Sequence, residues 1–406
     1  MENLFGYFTP GYIKWRKGRI YKWILFKKIF PSAYKKASKK PVDNKKVVFV
    51  EVRSLVITNS FKVIYDKLEN EYDFDIHTHF LGETRVKKKQ YFKNCINMLK
   101  DIATAKYVFL NDASNCIGSI KNLRPETQII QLWHGCGAFK KFGLSTADLI
   151  FGEDRKEKKK YPFYKNNTTV TVSSPEVVWA YEEAMDFEDD HSVVQPLGIS
   201  RTDVFFDKEY IKSAYDKLYE AVPQAKGKKV ILYAPTFRGR VASARTPNKF
   251  NLGMFEDHFG DDYVVLFKHH PFVKKPPVIA EEFANFAFDV TETLGIEDLL
   301  CTADICITDY SSLVFEYSLF EKPIIFFAFD LENYCDWRGF YYDYFEISPG
   351  PVCKTNKEMI YYIENLDTRF DKEKIKDFRY KFMRSCDGKS TEKILQYIFD
   401  KDKNRE

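Results

Sequence analysis

The stretch Ile305-Cys-Ile-Thr-Asp-Tyr-Ser-Ser-Leu-Val-Phe-Glu316 decides the fold class. Its apolar run predicts a buried strand that ends at Thr308, and a polar turn leads from there into a helix that opens at Ser311 or Ser312. Such a strand–turn–helix unit is the building block of parallel α/β sheets. The N–H groups and hydroxyls at this helix start can bind phosphate, whereas the simpler interpretation is that a serine caps the helix.

The same alternation of strands and helices extends in both directions along the chain. Before residue 225 the predicted strands are Val47–Val52, Phe74–Ile76, Tyr107–Leu110, Ile129–Trp133, Leu149–Phe151 and Val170–Ser173. After the polar segment 226–229 they are Val230–Tyr233, Val264–Lys268, Phe286–Asp289, Ile305–Thr308 and Ile324–Phe327. Strands separated by helices predict an α/β protein with two Rossmann-like, doubly wound domains that face a cleft, the GT-B arrangement.

These changes of pattern divide the chain into four predicted parts. Residues 1–45 form a basic aromatic N-terminal arm, residues 46–225 the first Rossmann-like domain, residues 226–385 the second, and residues 386–406 a C-terminal helix. Domains of this kind bind ligands at the carboxyl ends of their strands. We therefore expect the functional residues where strands end at the cleft.

Composition excludes several classes of protein. The chain has 406 residues, of which 45% are hydrophobic and 17% aromatic, and this excludes wholesale disorder. No apolar run approaches the roughly 20 residues that span a bilayer, and Lys and Arg interrupt any signal peptide. The eight cysteines show neither a CxxC pair nor zinc-ligand spacing, which predicts free thiols in a reducing compartment and no bound metal. We expect a protein of the cytoplasm or of the cytoplasmic face of a membrane.

Charge is distributed unevenly. Residues 1–46 contain thirteen Lys and Arg against Glu2 and Asp43, so this segment carries +11 of a total of +5, and the remaining 360 residues carry −6. A nucleic-acid binder would spread its basic residues more widely. Aromatic residues interleave with the basic ones, which favours contact of the arm with an anionic membrane surface. The alternative is a helix packed on the body with a solvated lysine face.

Residues at other predicted strand ends carry weaker signals. His134 follows Ile129–Trp133, and Gly135 leaves room for a close ligand, so a catalytic imidazole and a structural one are equally supported. Further candidates are Thr236 and Arg238 after one strand, Lys268 and His270 after another, and Arg338 before an aromatic run. Alone, each is also explained as an ordinary polar turn.

Together these segments resemble the CDP-glycerol glycerophosphotransferase family, which includes teichoic-acid polyol-phosphate primases and polymerases. The motifs are Trp133-His-Gly135, Tyr233-Ala-Pro-Thr-Phe-Arg238, Lys268-His-His-Pro271, Ile307-Thr-Asp-Tyr-Ser-Ser312, Asp330-Leu-Glu-Asn-Tyr334, Arg338-Gly-Phe-Tyr-Tyr-Asp343 and Pro349-Gly-Pro351. The resemblance covers about residues 46–385. The chain departs from the family pattern in its HGCGAFKK loop, which leaves glycerol or ribitol open as the polyol.

The resemblance implies attack by an acceptor hydroxyl on the distal phosphorus of a CDP-polyol, with release of CMP. His134 is expected to act as the base, because histidine titrates near neutral pH. Stabilisation of the phosphoryl group falls to His270, Arg238 and Arg338, although His270 could instead be the acid. The remaining substrate contacts are expected from Gly135, Thr236, Lys268, Asp309, Ser311, Ser312 and Glu316. No cofactor or metal is implied.

Other functions share parts of this pattern. A GT-B glycosyltransferase that uses a sugar nucleotide would have the same phosphate-binding helix start, and a non-catalytic membrane-associated protein would have the same arm. Release of CMP from a CDP-polyol distinguishes the expected enzyme from both. Its predicted partners are the CDP-polyol donor, a lipid-linked or polymeric acceptor and an anionic membrane surface, with no nucleic acid. The sequence decides neither the acceptor nor whether one unit or many are added.

Overall fold

Two parallel β-sheets make up the framework of the molecule. The computed structural model describes residues 10–147, 149, 154–240, 243–332, 334 and 339–403. Strands β1 to β6 are Asp43–Glu51, Asp75–Phe80, Ala105–Leu110, Gln128–Gln131, Thr169–Thr171 and Val194–Gln195. Strands β7 to β12 are Lys229–Tyr233, Tyr263–Phe267, Ala287–Asp289, Ile305–Thr308, Ile324–Phe327 and Val352–Cys353. The sheet orders are β2-β1-β3-β4-β5-β6 and β12-β11-β10-β7-β8-β9.

Helices cover both faces of each sheet. The α-helices are Pro10–Ile24, Phe30–Ala37, Asn59–Glu71, Lys88–Ile102, Asn115–Gly118, Arg155–Lys160, Val178–Met185, Lys208–Ala221, Leu252–Phe259, Ile296–Thr302, Leu313–Tyr317, Tyr344–Ile347, Asn356–Glu364, Leu366–Arg369, Lys372–Met383 and Ser390–Lys403. Short 3-10 helices are Gly143–Thr146, Pro175–Val177, Ser200–Phe206, Pro223–Ala225, Glu281–Phe283 and Ser318–Phe320, and Leu25–Ile29 is a π-helical turn. The prediction of an α/β fold with two parallel-sheet units is confirmed.

The strands are apolar along their length because both sheet faces are buried. In β10 and β11 every residue is buried, and Ile307 pairs in register with Tyr233 and Ile325. A large hydrophobic cluster extends from the first unit into the second, where the rings of Phe139 and Phe315 meet at 6.0 Å. The two units therefore share a packed joint beside the cleft.

The strand predictions agree with the structure at ten of eleven positions. For the eleventh, Leu149–Phe151, the last two residues lie outside the described part of the chain. The patterns missed β6 and β12, which are two residues long and too short for any periodicity. The predicted boundaries of the four parts stay predictions.

The N-terminal segment differs from the expected arm. From Leu25 onward the helical segment packs into the first unit, with Leu25, Phe26, Phe30 and Tyr34 buried in its core. Burying one such side chain stabilises a fold by roughly 1.5–3 kcal/mol, so this portion is held to the body. A separate arm over residues 1–45 is therefore not confirmed, and residues 1–9 lie outside the described range.

The C-terminal helix crosses back to the first unit. Ile394, Leu395 and Ile398 of Ser390–Lys403 pack against the first sheet, and Lys106 Nζ lies 2.7 Å from a carboxylate oxygen of Asp402. The helix Ser390–Lys403 is therefore part of the first unit's core. Across the described residues, no helix combines the length and the apolar character needed to cross a bilayer.

Candidate active site

A cavity of about 1010 Å³ lies between the two units. Six of the predicted site residues line it, namely His134, Gly135, Thr236, His270, Ser311 and Ser312. Four of them stand at equivalent places, because His134, Thr236, His270 and Ser311 each come three residues after the end of a strand, β4, β7, β8 and β10 respectively. The carboxyl ends of both sheets thus converge on one cavity, as parallel sheets predict.

The hydrogen bond of His134 fixes which ring nitrogen can take up a proton. Its Nδ1 lies 3.0 Å from the backbone oxygen of Asn111. A carbonyl oxygen only accepts, so Nδ1 carries the ring proton and Nε2 carries the lone pair. The neighbouring Asn111 side chain donates to Glu51 at 2.7 Å, which fixes this loop. This arrangement leaves Nε2 as the ring nitrogen that can accept a proton.

Backbone strain and packing hold the His134 ring in place. Trp133 has a φ of 59°, a left-handed conformation that bulky residues rarely adopt, and its ring centroid lies 4.5 Å from that of His134. Such strained residues cluster at functional sites. Burial lowers the pKa of His134, and the carboxylate of Asp112 opposes this in part. The ring is therefore neutral at neutral pH, as a base must be.

His270 has the opposite arrangement. The backbone N–H of Phe272 donates to His270 Nδ1 at 3.1 Å, so in the neutral ring Nε2 carries the proton. The centroid of the His270 ring lies 4.7 Å from that of Phe237 and 4.7 Å from that of Phe272. The centroids of the two phenylalanine rings are 5.5 Å apart. His270 can therefore donate a hydrogen bond through Nε2, where His134 accepts one. The sequence left these two roles unseparated.

Arg238 and Asp309 form an ion pair behind the cavity wall. Arg238 Nε lies 2.6 Å from Asp330 and Nη2 lies 2.9 Å from Asp309, so its guanidinium is engaged by two carboxylates. Asp309 also accepts hydrogen bonds from the backbone and hydroxyl of Thr236 and from the backbone of Tyr310. Neither charged side chain lines the cavity. They brace the turns that carry Thr236 and Ser311, and their predicted substrate contacts stay predictions.

Lys268 and Glu316 are also internal. Lys268 Nζ donates to the backbone oxygens of Thr291 and Leu294 at 2.7 and 2.6 Å, and burial lowers its pKa. Glu316 pairs with Arg201 within the joint, and burial raises its pKa. Neither side chain lines the cavity, and their predicted substrate contacts stay predictions.

Arg338, the last of the predicted stabilisers, lies outside the described residues. Its neighbour Gly339 is described, and the backbone oxygen of Gly339 accepts from the N–H of Lys141 at 3.1 Å. The segment that follows Arg338 thus runs along the cavity-lining loop of the first unit. The predicted role of Arg338 stays a prediction.

The serine pair faces the His134 loop across the cleft. Ser312 makes no side-chain hydrogen bond that caps the helix Leu313–Tyr317, and Ser311 Oγ only accepts a long one, 3.4 Å, from the N–H of Leu313. A Cβ built on Gly135 would lie 3.8 Å from Ser312 Oγ. The plain capping interpretation therefore fails for Ser312, whose hydroxyl is left for the cavity.

A close approach joins the two walls. Gly137 has a φ of 62°, and a Cβ there would lie 2.4 Å from the ring of Phe315. Only glycine permits this combination of conformation and proximity. The close contact with Phe315 in the helix after the serines thus explains why position 137 is a glycine.

Arg201 is a site residue that sequence reasoning missed. Its guanidinium donates to the backbone oxygen of His134 at 3.1 Å and to Glu297 at 3.2 Å, and it pairs with Glu316. His134 belongs to the first unit and the two glutamates to the second. Arg201 therefore links the His134 backbone to the second unit. Its sequence signal, an isolated Arg after Gly198, has no periodicity or motif to mark it.

The part of the chain that the structure describes contains no group of three or more His, Cys, Asp or Glu arranged to hold a metal ion. The charged groups that line the cavity are mainly cationic side chains, beside two imidazoles and the carboxylate of Asp186. The absence of a cofactor stays a prediction.

Comparisons with known proteins agree with the motifs. A teichoic acid poly(ribitol-phosphate) polymerase of Bacillus spizizenii is 35% identical over 91% of this chain, which spans 58% of that protein. A teichoic acid ribitol-phosphate primase of the same species is 35% identical over 92% of this chain and 96% of the primase. A teichoic acid glycerol-phosphate primase of Bacillus subtilis is 31% identical over 75% of this chain and 77% of that protein.

The fold has a counterpart of known structure. The wall teichoic acid polymerase TagF superimposes with a TM-score of 0.76 and 23% identity, over 97% of this chain and 98% of the solved one. At that identity the likeness shows the fold. The family profile described as CDP-glycerol:poly(glycerophosphate) glycerophosphotransferase matches residues 32–400. The chain belongs to this family, as its motifs predicted.

Proposed function

We propose that the protein transfers a polyol phosphate from a CDP-polyol to the hydroxyl of a teichoic-acid-like or capsular acceptor and releases CMP. The observation that carries the proposal is the opposite hydrogen bonding of two histidines on one cavity. His134 offers a lone pair at Nε2, and His270 carries a proton at Nε2. One base and one donor are what a hydroxyl and a diphosphate require.

The transfer follows from this arrangement. His134 Nε2 takes the proton of the acceptor hydroxyl as its oxygen bonds to the distal phosphorus, and the bond from that phosphorus to the bridging oxygen breaks. CMP leaves with the bridging oxygen. His270 Nε2–H and the hydroxyls of Ser311 and Ser312 donate to phosphate oxygens, whose negative charge they stabilise. Phosphate is a good leaving group with a second pKa of about 6, so little protonation is needed.

The donor is a CDP-polyol, and the relatives favour ribitol. The two ribitol-phosphate relatives are each 35% identical to this chain, and the glycerol-phosphate primase is 31% identical. The variant loop Gly135-Cys-Gly-Ala-Phe-Lys140 lies on the cavity, where it can contact the polyol or the acceptor. We propose CDP-ribitol as the first donor to test and CDP-glycerol as the second.

The experiment measures CMP release. Purified protein is incubated with CDP-ribitol or CDP-glycerol, with and without a short polyol-phosphate acceptor, and with UDP-sugars as the competing donor class. We expect acceptor-dependent CMP from one CDP-polyol. Release of UDP from a sugar nucleotide, or binding of CDP-polyol without turnover by protein shown to be folded, would overturn the proposal.

We further propose that the enzyme works at the cytoplasmic face of the membrane as a peripheral protein. Ile20, Trp23 and Ile24 lie at helical spacing on one face, and 52%, 42% and 38% of their surfaces are exposed. Exposed Arg16 and Lys17 flank them. Apolar side chains among cations are typical of helices that lie on anionic lipid. Such a position would place the enzyme beside a lipid-linked acceptor. We propose no nucleic-acid partner.

Substitution of this face tests the membrane proposal without touching the core. Ile20→Ser, Trp23→Ser and Ile24→Ser together should abolish sedimentation with anionic vesicles and leave turnover on a short soluble acceptor unchanged. A matched control replaces Val56, Val278 and Tyr380, which are exposed elsewhere, by Ser. Equal sedimentation of the two triple variants would contradict the proposal.

A further inference from the structure

We propose that a lysine track beside the cavity binds the phosphate groups of the acceptor substrate. The lysine track consists of Lys22, Lys27, Lys160 and Lys165. The inference rests on the proposed function, because it names the part of the acceptor that the first unit binds. The ligand class is a phosphodiester or diphosphate attached to the attacking hydroxyl.

The track gathers positive charge around one aromatic ring. The ammonium groups of Lys22, Lys27 and Lys160 lie 4.3, 5.4 and 5.5 Å from the ring centroid of Tyr161. The ring attracts each cation, but the three ammoniums repel one another. The nearby carboxylate of Glu157 lies 3.3 Å from Lys22 and also 3.6 Å from Arg19. Positive charge is therefore in excess at this point.

Lys165 extends the positive charge of the track to the cavity. Lys165 follows Tyr161 by four residues, and residues 162–165 all line the cavity. Burial lowers the pKa of Lys27, and the positive charges of Lys165 and Lys160 lower it further. Lys165 is exposed and lines the cavity. The track thus extends from the N-terminal helical segment, through the end of Arg155–Lys160, to the cavity mouth.

The adjoining cavity wall has the same sign. Its cations are Lys140, Lys141, Lys158, Lys159, Lys165 and Arg53, of which Arg53 is paired with Asp112 at 2.7 Å. Asp186 is the one carboxylate among the described lining residues. Asp186 is already paired with Lys159 at 3.1 Å. Lys158 donates to the backbone oxygen of Gly143 at 2.6 Å and so orders the loop rather than awaiting a ligand. A wall of this charge concentrates anions.

The position of the wall identifies the anion. The hydroxyls suited to the donor diphosphate, Ser311 and Ser312, belong to the second unit, whereas every cation of the wall and track belongs to the first. His134, the base that contacts the acceptor hydroxyl, lies on the first unit as well. Phosphate groups that follow the acceptor hydroxyl would therefore run along the lysines.

The test compares two double variants of the full chain. Lys160→Gln with Lys165→Gln removes two charges of the track, and Lys212→Gln with Lys374→Gln removes two exposed charges elsewhere. Calorimetry measures the Kd of a polyol-phosphate oligomer and of the CDP-polyol, and vesicle sedimentation measures lipid binding. We expect the oligomer Kd to rise about threefold to tenfold in the track variant only, as for exposed charge contacts, with a weaker dependence on salt. The CDP-polyol Kd should not change.

Each other outcome has a distinct meaning. An unchanged oligomer Kd overturns the inference, even where CMP release proceeds normally. Loss of vesicle binding with an unchanged oligomer Kd overturns it too and assigns the lysines to the lipid surface. If neither CDP-polyol yields CMP but oligomer binding still depends on the track, the proposed function fails while the binding site stands.

Discussion

The two walls of the cavity are built on different principles. The second unit presents an imidazole and hydroxyls, and it keeps its charges behind them, where Arg238 binds Asp309 and Asp330. The first unit presents His134 among lysines that face the cavity directly. One wall fixes a geometry through internal ion pairs, and the other supplies a positive field. Basic side chains thus stabilise the loops of the second unit, whereas in the first unit they face the cavity.

The largest expected effect comes from the first wall. His134→Ala should lower turnover by roughly 10²–10⁴-fold, the usual contribution of a general base, while CDP-polyol affinity stays near that of the native protein. CMP release and calorimetric titration measure the two quantities. His191→Ala is the control, since His191 is an exposed histidine paired with Glu182. Turnover equal to that of the control would remove His134 from catalysis.

The second wall should fail in a different way. Arg238→Met leaves two largely buried carboxylates without their cation, and this should lower the free energy of unfolding by about 3 kcal/mol. Chemical denaturation measures it, with Arg240→Met as the exposed control. If Arg238 instead held the donor, the variant would keep its stability and lose CDP-polyol affinity.

This contrast marks what the sequence could predict. Strand ends are visible as apolar runs followed by polar turns, so the convergence of His134, Thr236, His270 and Ser311 was predictable. The direction of a charged side chain at such a turn was not, because Lys268 can reach a phosphate or a backbone oxygen from the same position. The structure shows the second.

Long-range contacts were hidden for a similar reason. Glu316 and Arg201 are 115 residues apart in sequence and meet only when the units pack. The N-terminal helical segment has apolar and basic residues that suit either a membrane or a core. Its burial from Leu25 to Tyr34 depends on the first unit's surface, which no local pattern encodes.

The serines give an intermediate effect that sharpens the comparison. Ser311→Ala with Ser312→Ala should raise the CDP-polyol Kd about a hundredfold, because each substitution removes a hydrogen bond to a charged phosphate group. Stability should stay within about 0.5 kcal/mol, since Ser312 caps no helix N–H and Ser311 Oγ accepts only a long hydrogen bond of 3.4 Å from Leu313. Ser213→Ala, on an exposed helix face, is the control for both measurements. A loss of stability with an unchanged Kd would return the serines to a capping role.

The acid limb of the rate profile reports on the first wall. Because burial lowers the pKa of His134, kcat/KM should fall only as pH drops below the ordinary histidine value of about 6.5. Protonation of Nε2 removes the lone pair, so the loss occurs on the acid side. A pH series of CMP release measures it, and an inflection well above 6.5 would contradict the assignment.

The smallest effect tests the joint between the walls. Arg201→Lys keeps a positive charge near His134 but cannot reach the His134 oxygen and both glutamates together, so kcat should fall about threefold to tenfold with the acid limb unmoved.

A second variant, Arg201→Met with Glu316→Gln, removes the cation and also neutralises one of the two carboxylates that it pairs with. Losing that cation makes protonation of His134 easier, so its pKa should rise and the acid limb should move to higher pH. An unmoved limb in the second variant, with the protein folded, would show that Arg201 is structural only.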